Sequence, residues 1–232
     1  MSQWMIYGAT GYSGQLIAEE ARSCGLKPIL AGRSLDKLEP LGQQMGCEVR
    51  AFSLNDPEAL KKGMAGVELV IHAAGPFSQT AEPMLRACLA QGCHYFDITG
   101  EMDIFEWAHR PDISAQASAQ KMVVCPGVGF DVVPTDCVAL SLKGAMPDAT
   151  HLCLGFASKG KLSPGTAKTM LEGASKGTRN RRNGKIQPCA LQTPTIDFGA
   201  GPLPAMSLAW GDISTAYHST GIPNIDVFIA TT

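Results

Sequence analysis

The chain has 232 residues, 45% of them hydrophobic and 17% charged, with a formal net charge of −2. This suits one large globular domain or two modest ones, and it gives no electrostatic reason to expect nucleic acid or an anionic membrane as a partner. No apolar run approaches the ~20 residues of a membrane span, and the N-terminus lacks a basic-then-apolar signal, so the expectation is a soluble, cytoplasmic protein with no membrane span.

A first strand is predicted over Trp4–Tyr7, followed by glycines at a spacing of three, Gly8, Gly11 and Gly14. A helix follows in which Ile17, Ala21 and Cys24 share a face, ending near Cys24 with Gly25 beyond it. This order of strand, glycines and helix is what a dinucleotide site requires. Glycines permit the sharp turn, the close approach of backbone to pyrophosphate and tight helix packing, while the helix N-terminus offers N–H groups to the phosphates. Thr10 stands where the usual fingerprint has its middle glycine, and Tyr12 and Ser13 open the helix.

A second strand over Pro28–Arg33 ends in Arg33-Ser34. An acidic residue at that position would bind the ribose 2′-hydroxyl of NAD, whereas a cation and a hydroxyl suit the 2′-phosphate of NADP. Ser34 also fits the N-cap of the next helix, and Arg33 a solvated strand end. After a third strand near Glu48–Phe52, Asn55-Asp56-Pro57 starts another helix, with Asp56 either at the adenine edge of a cofactor or at the N-cap. The fourth strand, Val67–Ala74, runs into Gly75-Pro76-Phe77, where Ala74 and the turn leave room for the nicotinamide-ribose half. His72 inside it reads as a hydrogen-bonded core histidine. The following helix, Thr80–Gln91, places Met84, Leu85, Cys88 and Leu89 on one face and stops at Gly92.

A fifth strand, His94–Ile98, places Tyr95 and Asp97 near the ligand crevice, with sheet-edge or capping roles equally open. A helical region broken by Pro111, a sixth strand over Met122–Cys125, the loop Pro126–Asp131 and a helix from Pro134 containing Val138 and Leu142 complete the alternation. The pattern predicts an α/β fold, a Rossmann-like doubly wound parallel sheet, over residues 1–145. Residues 146–232 read as a second, smaller and mostly antiparallel α+β domain that closes over the cofactor. It holds a strand over His151–Ala157, a helix over Thr166–Ser175, a solvated cationic hairpin around Asn183-Gly184 and a strand over Ile225–Ala230. The eight cysteines, Cys24, Cys47, Cys88, Cys93, Cys125, Cys137, Cys153 and Cys189, form no C-x-x-C pair, so buried free thiols are expected and no metal. No Tyr-x-x-x-Lys pair is present to act as a short-chain-dehydrogenase proton relay. Asp97, Asp131, Tyr217 and His218 are the polar candidates for catalysis.

Several stretches together resemble the saccharopine-dehydrogenase-like oxidoreductases, including those similar to trans-acting enoyl reductases. They are GATGYSG, AGRS at Ala31–Ser34, AAGPF at Ala73–Phe77, YFDITGE at Tyr95–Glu101 and PGVGFDVVPTD at Pro126–Asp136, then SPGTAKTM, RRNGK and WGDISTAYHSTGIPN. The resemblance implies NADP(H) as cofactor, a hydride-transferring dehydrogenase or reductase acting on a small-molecule or acyl substrate, and an α+β domain for substrate binding and homodimer contacts. It further implies a C-terminal segment of helices returning toward the first domain, so that a chain stopping at Thr232 would be a truncated product or a fragment. The alternative is a non-catalytic NADP-binding sensor or partner subunit.

Overall fold

The computed structural model describes residues 3–157, 177–199 and 201–231. The helix expected over Thr166–Ser175 lies outside the described residues. Two compact units emerge, Met1–Thr99 with Trp107–Gly129, and Gly100–Glu106 with Phe130–Thr232.

In the first unit, β1 (Trp4–Tyr7), β2 (Ile29–Gly32), β3 (Val49–Ala51), β4 (Leu69–His72), β5 (His94–Asp97) and β6 (Val124–Cys125) form a parallel sheet in the order β3-β2-β1-β4-β5-β6. This is the doubly wound order expected from the alternation of strands and helices. The apolar runs of β1 and β2 are buried, with Trp4 half-buried at the start of β1, because helices cover both faces of the sheet. On one face α1 (Tyr12–Ser23) and α2 (Leu35–Met45) pack Ala18, Leu38 and Met45 against Ile6 and Leu30. On the other, α3 (Pro57–Gly63), α4 (Phe77–Gln91) and α6 (Pro111–Ala119) pack Leu60, Leu85, Leu89 and Ile113 against Tyr7, Val70 and Tyr95.

The buried side of α1 is Gly14, Ala18 and Ala21, not the predicted Ile17–Ala21–Cys24 stripe. Small residues let this helix lie close to its strand, and Cys24 ends up exposed. Among the cysteines only Cys88 and Cys93 are buried, and four are exposed, so their apolar sequence neighbours did not predict their burial. Helix α4 starts three residues earlier than expected, directly after Pro76, which already has the extended backbone of an N-cap.

In the second unit, β7 (His151–Phe156), β8 (Arg179–Arg182), β9 (Lys185–Pro188), β10 (Thr195–Asp197), β11 (Pro202–Ser207) and β12 (Asn224–Ala230) form a sheet in the order β10-β11-β12-β8-β9, with β7 paired parallel to β12. Helices α5 (Met102–Ala108, of which Met102–Glu106 falls in this unit), α7 (Val133–Ala145) and α8 (Asp212–Thr220) accompany it. The division expected at residue 145 follows the sequence alternation, whereas α7 packs on α8 and groups with the second unit.

The Asn183-Gly184 turn forms as expected, with both residues at positive φ (49° and 77°). Its arginines, however, are not a solvated face. Arg181 is 3% exposed; its Nε donates to the Ile213 carbonyl (2.8 Å), Nη1 to the Gly184 carbonyl (2.7 Å) and Nη2 to Glu106 Oε1 (2.5 Å). Arg182 pairs with Asp226 and Arg179 with Asp103. A buried guanidinium is tolerable only when its fork of donors is matched in this way.

Candidate cofactor-binding site

The chain leaves β1 through Gly8, whose N–H donates to the Ala31 carbonyl of β2 (2.8 Å) and whose carbonyl accepts from Gly11 N–H (2.9 Å). Gly8 has φ +91°, and a Cβ there would lie 2.8 Å from the backbone of Ala73 and Ala74. The glycine is therefore demanded by the turn after β4 as well as by the left-handed backbone. A Cβ on Gly14 would lie 2.2 Å from the Gly8 carbonyl oxygen. Helix α1 thus sits directly on the loop. Its N-cap, Gly11, supplies no side-chain cap, and the first turn holds no acidic residue. The leading N–H groups, those of Tyr12, Ser13 and Gly14, lie outside the intrahelical ladder, and the positive end of the dipole is uncompensated. Gln15 Nε2 donates to the Thr10 carbonyl (3.1 Å) and closes the loop.

Arg33 follows the end of β2, exposed, and makes no hydrogen bond or ion pair among the described residues. Ser34 occupies the N-cap of α2, yet its hydroxyl makes no capping bond. Asp56 does cap: its Oδ1 accepts from Glu58 N–H (3.1 Å) and Ala59 N–H (3.0 Å), which engages the carboxylate that sequence reading also placed at an adenine edge. Across the sheet the turn Ala74-Gly75-Pro76-Phe77 is pinned by Thr80, whose hydroxyl donates to the carbonyls of Ala74 (2.6 Å) and Pro76 (3.1 Å). Sequence reading missed Thr80; its only signal is a threonine hydroxyl in the first turn of a helix that follows a proline.

Asp97 is fully buried and its carboxylate is committed. Oδ2 accepts from Tyr95 Oη (2.6 Å), and Oδ1 from the N–H groups of Thr99 (2.9 Å) and Gly127 (2.8 Å). It ties the loop after β5 to the loop after β6. Asp131, Tyr217 and His218 belong to the second unit. Burial pushes the Asp131 carboxyl up from the usual carboxylate range. Tyr217 lies beneath the Arg181 guanidinium at 4.1 Å, and His218 Nε2 is 3.9 Å from Glu106.

His72 is a core residue, as read, but neither ring nitrogen has a hydrogen-bond partner among the described residues, and the ring sits among Tyr7, Phe77 and Tyr95. Burial pushes its pKa down to about 3. The unfolded chain takes up the proton near pH ~6.5, so the stabilisation is intact above that pH and is lost as pH falls toward the folded value. The expected slope is about 1.4 kcal/mol per pH unit within the window. Urea unfolding at pH 7, 5 and 4 should show His72→Leu gaining on the wild type as pH drops; parallel losses would refute the assignment.

Residues 4–123 match the family described as Saccharopine dehydrogenase NADP binding domain. The chain belongs to this family. A trans-acting enoyl reductase of Mycobacterium tuberculosis is 30% identical over 143 residues, covering 57% of this chain and 33% of that protein. A saccharopine dehydrogenase-like oxidoreductase of Mus musculus is 28% identical over 161 residues, covering 61% of this chain and 37% of that protein. The chain thus spans well under half the length of these curated relatives. Apo saccharopine dehydrogenase (L-Glu forming) from Saccharomyces cerevisiae matches in fold with a TM-score of 0.66 at 13% identity, over 100% of this chain and 56% of that one.

The cofactor of the saccharopine dehydrogenase NADP binding domain is NADP(H), and the residues present fit it. The close approach of Gly14 to the Gly8 carbonyl brings an uncapped helix N-terminus up to the loop, and the guanidinium and hydroxyl after β2 are uncommitted. Because the Ser34 hydroxyl makes no cap, Ser34→Ala should leave thermal stability unchanged and weaken NADPH about fivefold, the worth of one ordinary hydrogen bond. A fall in melting temperature with unchanged NADPH affinity would return Ser34 to a capping role.

Proposed function

We propose that this chain is the NADP(H)-binding part of an oxidoreductase that transfers hydride to or from a small-molecule or acyl substrate. The observation that carries the reading is the glycine loop against an uncapped helix N-terminus, beside an uncommitted Arg33-Ser34 pair, within a family defined by NADP binding. When bound, the nicotinamide supplies or accepts the hydride.

The N–H groups at Gly11–Gly14, with Gly8 and Thr10, hold the pyrophosphate. Arg33 and Ser34 take the 2′-phosphate, and Ala74, Gly75, Pro76 and Phe77 bound the nicotinamide side. Positioning is then the chain's main contribution to catalysis. Of the four polar candidates, Asp131 has the chemistry of an acid, since burial favours its protonated form. Asp97 is occupied as a clasp, and Tyr217 and His218 lie against the Arg181–Glu106 pair. The relatives include an enoyl reductase and a saccharopine dehydrogenase, so activated alkenes and imines are the substrate classes to try first. No helix among the described residues is long and apolar enough to cross a membrane. A cytoplasmic homodimer is the corresponding proposal for location and assembly.

The test begins with an NADPH titration followed by fluorescence; saturation below millimolar cofactor is expected, and its absence ends the reading. Turnover is then sought with imines, ketones and activated alkenes. Tight binding with no turnover of any class would favour a non-catalytic sensor or partner subunit.

A further inference from the structure

Helices α7 and α8 pack against each other within the second unit, and the seam between them is acidic. Asp212, the first residue of α8, is fully buried. Its Oδ1 accepts from the Thr135 hydroxyl of α7, while its Oδ2 is buried without a hydrogen-bond partner among the described residues. Asp136, on the first turn of α7, accepts from Ser219 Oγ through Oδ2 (2.6 Å), and its Oδ1 is likewise buried and unpartnered. The Thr215 hydroxyl, three residues along α8 from Asp212, is a third orphan. The ionisable groups that act on Asp212 are Asp136 and Asp131, both acidic. The neighbouring cations are committed elsewhere: Arg181 of β8 to Glu106, Arg182 to Asp226 on β12, and Lys143 of α7 to the carbonyls of Pro147 and Ala149. His218 of α8 lies 3.9 Å from Glu106.

A carboxylate in that position would have neither solvent nor counter-charge, and two like charges would repel it. A proton removes all three penalties without any rearrangement. We propose that the α7–α8 seam is a proton-operated latch: protonated Asp212 holds α7 on α8, and loss of the proton leaves a buried charge that releases the helix.

Burial first, with the two carboxylates adding to it, pushes Asp212 up to about 7, which sets the upper end of the transition near neutrality. Release restores an ordinary carboxyl near pH ~3.9. The latch is therefore closed at low pH and is progressively lost as pH rises from that value through the folded one. Helix α7 is suited to local release, because Ala139 is its buried residue and Val133, Val138, Leu140 and Leu142 are exposed.

The test is hydrogen exchange of the α7 amides in the full chain between pH 5 and 8, corrected for intrinsic rates to give opening constants. The wild type should open about 100-fold more readily at pH 8 than at pH 5. Asp212→Asn, which is neutral at every pH, should lose that dependence. Asp136→Asn removes one repelling charge and should move the midpoint to lower pH. A wild-type change below about threefold, or the same dependence in Asp212→Asn, overturns the latch. Protection of wild-type α7 at pH 8 by added ammonium or magnesium chloride, absent in Asp212→Asn, would also overturn it by making a cation the seam's partner.

Discussion

Gly14→Ala should reduce NADPH affinity by about 100-fold or more and lower stability by about 1–3 kcal/mol, the usual cost of overpacking. The added Cβ would stand 2.2 Å from the Gly8 carbonyl oxygen and 2.9 Å from Ala9 Cα, both backbone atoms that no rotamer change can move. Helix α1 must therefore retreat from the loop. Affinity falls along with stability because the N–H groups proposed to hold the pyrophosphate move with the helix, and a displacement of under an ångström is enough to stretch charge-assisted hydrogen bonds. Gly144→Ala is the control within the same chain. Its Cβ meets nothing within 4 Å in an exposed helix, so it should stabilise by about 0.5–1 kcal/mol and leave NADPH binding untouched. Cofactor titration and urea unfolding of both variants decide the matter. Wild-type affinity in Gly14→Ala would mean that the glycine serves only the fold, and that the pyrophosphate lies elsewhere.

Arg33→Ala should weaken NADPH by roughly 10- to 150-fold and leave NADH nearly unchanged, since a hydrogen bond to a charged group contributes about 1.5–3 kcal/mol. Arg33 is exposed and makes no hydrogen bond or ion pair among the described residues, so its removal has little to disturb in the fold. That isolates the 2′-phosphate as the cause of any difference between the cofactors. Arg33→Asp should go further, repelling the phosphate while offering NADH a carboxylate for its 2′-hydroxyl. Dissociation constants for both cofactors with wild type and Arg33→Ala provide the check. Equal weakening of the two, or of neither, would leave Arg33 a solvated strand end.

The strands and helices of the first unit were legible in the sequence because their signals are local. A four-residue apolar run such as Trp4–Tyr7, an N-cap such as Asp56 before Pro57, and a C-terminal Gly92 act through neighbours within a few residues. The glycine loop between β1 and α1 was legible for the same reason. Strands β10 and β11 and helix α8 were not read, because their composition is rich in glycine, proline and small polar residues. Tertiary packing around β12 decided them instead.

Side-chain roles divided along the same line. The sequence placed Asp97 near the end of one strand and His72 inside another, but only folding brought Gly127 N–H to one and three aromatic rings, with no hydrogen-bond partner among the described residues, to the other. Arg181 meets Glu106 across 75 residues, and Thr135 meets Asp212 across 77. The sequence determined which charges exist. The tertiary structure decided which of them are buried, with whom, and at what cost, because burial and partnership arise between segments that no local pattern connects.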